Sequence, residues 1–531
     1  MRYRARETKD RPGARLSREE GAIVKDWGGR LPVALIYPNS YYLGMSNLGI
    51  HAIYDLINGY RTAVCERVFW DKDERNAPAS IESGRPPADF AVLAFSISYE
   101  LDYFNVVSIL KASGIPLYAT DRDERHPLII AGGPCITANP MPLALFFDCL
   151  CIGEAESILP AMLGVLRERI GEGKDVLLPG LAALPGIYVP ACPPRNPVTR
   201  QWLKNLDDYA TKSVVMTLDT ELGDLYLIEA ERGCQRGCRF CLVNTAFAPM
   251  RFRSLENLIE QAREGFRYRR RIGLVGPAVA DHPQIEGLLA GLRQMGAELS
   301  ISSLRISSLT DGILSELAQG QVQTITIAPE AGSERLRKAI NKSISDSDIL
   351  KVADRIARQR FRQLKLYFII GLPTETDDDA EAIIKLTLAI KDRLDRQQSS
   401  TRIVLNIAPF VPKAGTPFQW LPMASIETLN DRLAILRSTL PLKGIKLNEE
   451  SPAWSQIQGV LARGDERLAG VIAGMEEISL AGWRKAVEEH DLDIYYYVNQ
   501  KWDTGQKLPW DVIDSGMKVE NLYTELEKAL K

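Results

Sequence analysis

The chain has 531 residues, of which 45% are apolar and 25% charged, and a formal net charge of −3. That length exceeds one ordinary core and implies several domains, the composition is that of a soluble globular protein, and the charge gives no reason to expect a polyanion partner for the chain as a whole. The charged opening residues carry no secretory signal, and the richest apolar run, PLALFFDCLCIG, is too short to cross a bilayer and is broken by Pro142 and Asp148. The expectation is a cytoplasmic protein with no membrane partner, whose eight cysteines are thiols or ligands rather than disulfides.

Residues 1–30 form an amino-terminal arm, and from Leu31 the pattern alternates. PVALIYP, TAVCERVF, DFAVLAFSI, HPLIIAGGP and FFDCLCIGEAE are strand-like runs. GMSNLGIHAIYDLINGY has helical spacing with Leu48, Ile53, Leu56 and Ile57 on one side, and DYFNVVSILKASGI is helical up to about Gly114. Strands alternating with helices predict a parallel, doubly wound (Rossmann-like) α/β sheet over 31–180. Such sheets bind ligands at the carboxyl ends of their strands, where YPNSYYLGMS, SISYELD, AGGPCI and GEAE lie. A proline-rich connector spans 181–221.

A second α/β series occupies 222–440, with strand-like runs LYLIEA, RIGLVG, AELSISSLRI, VQTITIAPEA, QLKLYFIIGLP and TRIVLNIAPFVP, the first five each followed by a helical stretch. Six such units without a reversal predict a partial parallel (β/α)6 barrel with its chemistry at the strands' carboxyl ends. Residues 441–531 read as a mainly helical carboxyl-terminal region. The basic run FRYRRR, with Arg267, Arg269, Arg270 and Arg271, reads as a solvated helix end rather than a nucleic-acid contact.

Three of the eight cysteines, Cys234, Cys238 and Cys241, fall in C-x3-C-x2-C just past the first strand of the second series, with Phe240 directly before the third. A structural zinc usually takes four protein ligands, and no Cys or His follows until His282. A redox pair would leave one thiol unexplained. Three thiolates on a cubane cluster leave one iron open to a ligand. The spacing, with the aromatic before its last cysteine, resembles the radical S-adenosylmethionine (radical SAM) superfamily over about residues 222–440. The resemblance implies a 4Fe–4S cluster on Cys234, Cys238 and Cys241, S-adenosylmethionine bound at the open iron, and reductive cleavage to a 5′-deoxyadenosyl radical. It also implies cofactor contacts from Gly276 in GLVGPAV, Ser303 and Arg305 in SSLRISSL, Glu330, Ser333 and Arg335 in APEAGSERLRKAINK, and Gly371, Pro373 and Glu375 in IIGLPTET. A low-potential electron donor of flavodoxin or ferredoxin type is the implied partner.

A doubly wound sheet before such a barrel resembles the cobalamin-binding class of these proteins, in a bacterial and archaeal branch with no established substrate. There Gly132 and Gly133 pass close to the corrin ring, as glycine permits. The D-x-H-x-x-G cobalt-ligating motif is absent, and His51 and His126 read as structural or exposed. Cys149 and Cys151, on an apolar run, read as buried small residues. The expected activity is cobalamin-dependent methylation of an unactivated carbon. The alternatives are a cobalamin-independent rearrangement, cyclisation or sulfur insertion, and a non-enzymatic iron–sulfur electron-transfer or assembly protein. No motif fixes the substrate.

Overall fold

The computed structural model describes residues 15–71, 77–301 and 304–531. Positions 1–14 of the expected arm and Ser303 lie outside the described residues. The first domain is a six-stranded sheet of β1 (Leu31–Tyr37), β2 (Ala63–Phe69), β3 (Val92–Ser96), β4 (Leu128–Gly132), β5 (Cys149–Cys151) and β6 (Ile187–Tyr188). Its order is β2-β1-β3-β4-β5-β6, parallel except for β6. The five expected strands are present, buried along nearly their whole length as a sheet covered on both faces requires. β6 comes from the proline-rich connector, which therefore does more than link.

The order reverses between β1 and β3, so their carboxyl ends diverge and leave a crevice. The turns flanking it are tied together. Asn39 donates to Asp102 (2.7 Å), and Asn105 donates to the Pro38 carbonyl (2.8 Å). Helix Leu48–Gly59 starts at an Asn47 cap, later than the sequence pattern predicts. Ile50, Tyr54 and Ile57 are its deeply buried side chains, whereas Leu48, Ile53 and Leu56 line a cavity. His51 is structural: its Nε2 faces the Met45 carbonyl and its Nδ1 accepts from the Val214 and Val215 amides. Burial lowers its pKa to about 4. Cys149 and Cys151 are buried thiols.

All six strands of the second series form: β7 (Leu225–Glu229), β8 (Arg271–Val275), β9 (Glu298–Ile301), β10 (Thr324–Glu330), β11 (Gln363–Ile370) and β12 (Arg402–Pro409). A seventh, β13 (Lys446–Glu449), follows in the region expected to be helical. They make two parallel sheets, β9-β8-β7 and β10-β11-β12-β13. The rest of the tail is helical, ending in Val519–Leu530, and its Ile513–Asp514 pairs with Val198–Thr199 of the connector. One continuous hydrophobic core runs from the first domain through the second series into this tail. Among the described residues no helix is long and apolar enough to cross a membrane. Within the basic run, Arg269 pairs with Glu20, and Arg271 with Asp224 and Glu298.

The two α/β units are joined by buried charge. Glu154, in the turn after β5, accepts from Arg232 (2.8 Å) and from both ends of Arg251 (2.7 and 3.0 Å). Arg232 also reaches Glu156 and Glu229, and Glu229 accepts from Arg253 (2.8 Å). Burial pushes the Glu154 carboxyl up, but hydrogen bonds and charge from Arg251 and Arg232 outweigh it and hold the pKa below the usual carboxylate value.

Removing one partner of such a network leaves buried charges uncompensated, so Glu154→Ala should cost about 3–5 kcal/mol. Denaturant unfolding measures this. Because the folded pKa of Glu154 is depressed, its contribution is present above the unfolded carboxylate range and is lost as pH falls through the folded value. The difference between wild type and Glu154→Gln should therefore be larger at pH 7 than at pH 4.

Candidate functional site

The chain leaves β7 at Glu229, and Glu231–Arg232 pairs antiparallel with Arg251–Phe252 before the cysteine loop begins. Gly233 turns the loop at φ +88°, where a Cβ would stand 2.6 Å from the Phe247 carbonyl oxygen, so only glycine fits. The loop is held at several points. The Asn341 side chain donates to the Gly237 carbonyl (2.9 Å), and the Cys241 amide to that of Cys238 (3.0 Å). Arg239 grips the end of helix Glu334–Ala339 through the carbonyls of Lys338 and Ala339. It also pairs with Glu525 of the last helix at 2.9 Å.

The three cysteines are free and half-buried in this loop. Burial raises the Cys241 thiol to about 11, with the charges of Cys238 and Cys234 adding to the effect. Burial also raises Cys238, against Lys342, with Glu330 and Cys234 adding. The thiols thus sense one another and share a setting, and binding a metal cluster there releases their protons. A structural zinc takes four protein ligands, and the triplet supplies three. An iron–sulfur cluster spreads its thiolates over a larger body. The donor set, its burial and its rigid loop fit such a cluster.

Several of the sequence-identified residues collect around the loop. Glu330 ends β10 at φ +69° and pairs with Lys342 at 2.9 Å. Arg305 pairs with Asp281, which also takes the Ser308 hydroxyl and lies 3.5 Å from Arg236 of the cysteine loop. Phe240 packs half-buried on the core. Gly276 ends β8 where a Cβ would meet Glu231 Cγ at 2.6 Å. Gly371 sits at φ +77° with its amide donating to Glu375, which Arg432 also binds, and Pro373 follows in the same turn. Arg335 reaches the same turn: it donates to Thr374 and pairs with Asp379, and its side chain is half exposed.

Between the two α/β units lies a cavity of about 500 Å³ with mainly apolar walls. On one side are the carboxyl ends of the first sheet, with Gly133 and Gly153, and on the other Glu231, Gly233 and Gly276. Gly133, at φ +113°, has the Ile97 carbonyl 2.4 Å from where a Cβ would be, while Gly132 packs on Cys151. An apolar slot of about 70 Å³ continues from Gly133 and Gly153 beneath helices Leu48–Gly59 and Ala155–Arg169. Sequence reasoning missed Glu231. It is 1% exposed, one carboxylate oxygen accepts from the Ala278 amide, and the other has no partner. Burial raises its pKa to about 7. Its place three residues before Cys234 was the only available signal. Asp281, Lys342 and Arg239 carried none.

Each of Cys234→Ala, Cys238→Ala and Cys241→Ala should abolish stable cluster loading, read as iron and sulfide content after anaerobic reconstitution, while leaving the far-ultraviolet spectrum unchanged. A carboxyl with a raised folded pKa holds its proton in the fold, so its stabilisation is full below the unfolded value and is lost as pH rises through about 7. The cofactor-free protein should therefore lose stability between pH 5.5 and 8, and Glu231→Gln should flatten that loss, as measured by urea unfolding at both pH values.

A family model for radical SAM proteins, N-terminal, matches residues 49–190, and the model of the radical SAM superfamily matches residues 228–387. The chain is 32% identical over 447 residues to the uncharacterized protein MJ0966 of Methanocaldococcus jannaschii, covering 82% of this chain and 89% of that one. It is 24% identical to tRNA-2-methylthio-N(6)-dimethylallyladenosine synthase of Neorickettsia sennetsu over 42% of this chain and 49% of that protein. Its fold is similar to that of the radical S-adenosylmethionine methyltransferase TsrM from Kitasatospora setae, solved with cobalamin and a [4Fe-4S] cluster bound. That similarity covers 87% of this chain and 98% of TsrM, at 11% identity and a TM-score of 0.51. With a rigid three-cysteine loop after the first strand of its second parallel series, and with these matches on either side of it, the chain belongs to the radical SAM superfamily.

Proposed function

We propose that this radical SAM enzyme is a cobalamin-dependent methyltransferase acting on an unactivated carbon. The observation that carries the reading is the cavity between the two α/β units, which reaches from Gly133 and Gly153 to the first residues of the cysteine loop. The same two-part fold in TsrM, a methyltransferase solved with cobalamin, supports it.

Cys234, Cys238 and Cys241 would hold the 4Fe–4S cluster. The backbone at Gly276 and Gly371, with Arg305 and Glu330, would hold S-adenosylmethionine, and the turns at Gly133 and Gly153 would face the corrin ring. These groups supply one-electron cleavage of a sulfonium and a carrier for the methyl group. The chain's own contribution is placement. Asp281 orients Arg305, and Lys342 orients Glu330. Arg239 keeps the cysteine loop from moving. The apolar cavity walls keep water from the reacting groups. Glu231, with its unpartnered oxygen in the wall, can hold or release a proton near neutral pH. The electron would come from a low-potential flavodoxin or ferredoxin.

Anaerobic purification from cells supplied with iron and hydroxocobalamin should give a protein whose visible spectrum contains corrinoid bands that survive gel filtration. Ala52→Trp, which fills the cavity from helix Leu48–Gly59, should lose the corrinoid and keep the iron. A wild-type protein with cluster but no corrinoid would remove the methyl-transfer reading.

A further inference from the structure

We propose that the substrate carries a carboxylate or phosphate group, and that the face of the β10-β11-β12-β13 sheet turned away from its helices binds it through Lys365 and Lys446. The inference rests on the reading of the chain as an enzyme, and it concerns the substrate rather than the cofactors.

Strand alternation separates the two faces. On β11, Leu364, Leu366, Phe368 and Ile370 are buried in the core beneath the helices, which puts Lys365 and Tyr367 on the other face. β11 is an inner strand, yet Tyr367 is 42% exposed there, so this face is open. Register extends it sideways. Tyr367 is opposite Asn406, and Asn406 is opposite Asn448. The Asn448 amide donates to Asn406 Oδ1 at 2.9 Å, which confirms that both point the same way. One layer below, Lys365 is opposite Val404, and Val404 is opposite Lys446. Two ammonium groups thus stand on strands two apart, with Cα atoms about 10 Å from each other, and their flexible stems can meet over Val404.

Three donors on this face lack an acceptor. Among the described residues neither Lys365 nor Lys446 makes an ion pair, whereas Lys212, Lys342 and Lys413 all do. Asn406 Nδ2 is buried with no partner. Two carboxylates at the strand ends are engaged elsewhere: Glu330 holds Lys342, and Glu450, beyond the end of β13, faces Lys413 and Tyr99. A lysine on an edge strand such as β13 can simply guard the edge. That explanation does not cover Lys365, half-buried on an inner strand. An acceptor-rich anion bound between the two lysines, with the Asn406 amide and Tyr367 hydroxyl beside it, would complete the set. The patch lies below the strand ends that carry Glu330 and Gly371, so it would grip the end of the substrate remote from the reacting carbon, where binding energy can serve positioning.

The test uses pyridoxal 5′-phosphate as an anionic, lysine-reactive probe on the holoenzyme, trapped with borohydride and mapped by peptide mass spectrometry. Lys365 and Lys446 should be labelled several-fold faster than the exposed Lys351 and Lys385. Millimolar phosphate or succinate should suppress that labelling, and the stronger competitor identifies phosphate or carboxylate as the recognised group. Lys365→Met should remove the protection at Lys446, and Lys365→Arg should retain it. Labelling of Lys365 no faster than of Lys351, or no protection by either anion, would overturn the proposal. Corrinoid retention is read separately, so loss of the methyl-transfer reading and loss of this one are distinguishable.

Discussion

The buried charge network around Glu154 and Arg232 is the constraint on which the site depends. Arg232 stands between Glu231, in the cavity wall, and Gly233, where the cysteine loop turns. Its guanidinium is fixed by Glu229 of its own strand end and by Glu154 and Glu156 of the first domain. A single side chain therefore sets the cysteine loop relative to the first domain and to the end of β7. Burying such a network costs solvation and rarely adds stability over an apolar contact. What it adds here is a defined position: it fixes where the carboxyl ends of one sheet stand relative to those of the other, and so shapes the cavity between them.

The loop's electrostatics follow from that rigidity. The backbone of the loop is held by Asn341 and Arg239, with the three thiols half-buried. Burial then keeps Cys238 and Cys241 protonated until a cation compensates them. Lys342 and Arg305 lie close enough to favour the thiolates, but each is shared with a carboxylate, Glu330 or Asp281.

Much of this was legible in the sequence. The strands of both series declare themselves by continuous apolar runs, because parallel strands covered on both faces have no polar side to show. The cysteine loop declares itself by spacing. β13 did not, since Lys-Leu-Asn-Glu at a sheet edge is short and polar. Leu48, Ile53, Leu56 and Ile57 share one side of helix Leu48–Gly59, but that this side walls a cavity was not legible, because a cavity wall and a core face both select apolar residues. The domain-joining network was invisible for another reason. Glu154 is 78 residues from Arg232 and 97 from Arg251, and no local pattern links them. The same holds for Asp281 with Arg305 and Lys342 with Glu330, whose pairing depends on which loops the fold brings together.

The molecule presents two surfaces of opposite chemistry. The cavity toward the first domain is mainly apolar, walled by helix residues such as Ala52 and Ile53, and suits a large flat ligand whose affinity comes from area. The open face of the second four-stranded sheet carries lysines, amides and a phenol, and suits a ligand recognised by charge and hydrogen bonds. A ligand suited to one surface is poorly suited to the other, since an anion in the apolar cavity would lose its hydration without a partner. The two surfaces thus select for different ligand chemistry. That division is what a reaction moving a group from a carrier to a separate substrate requires.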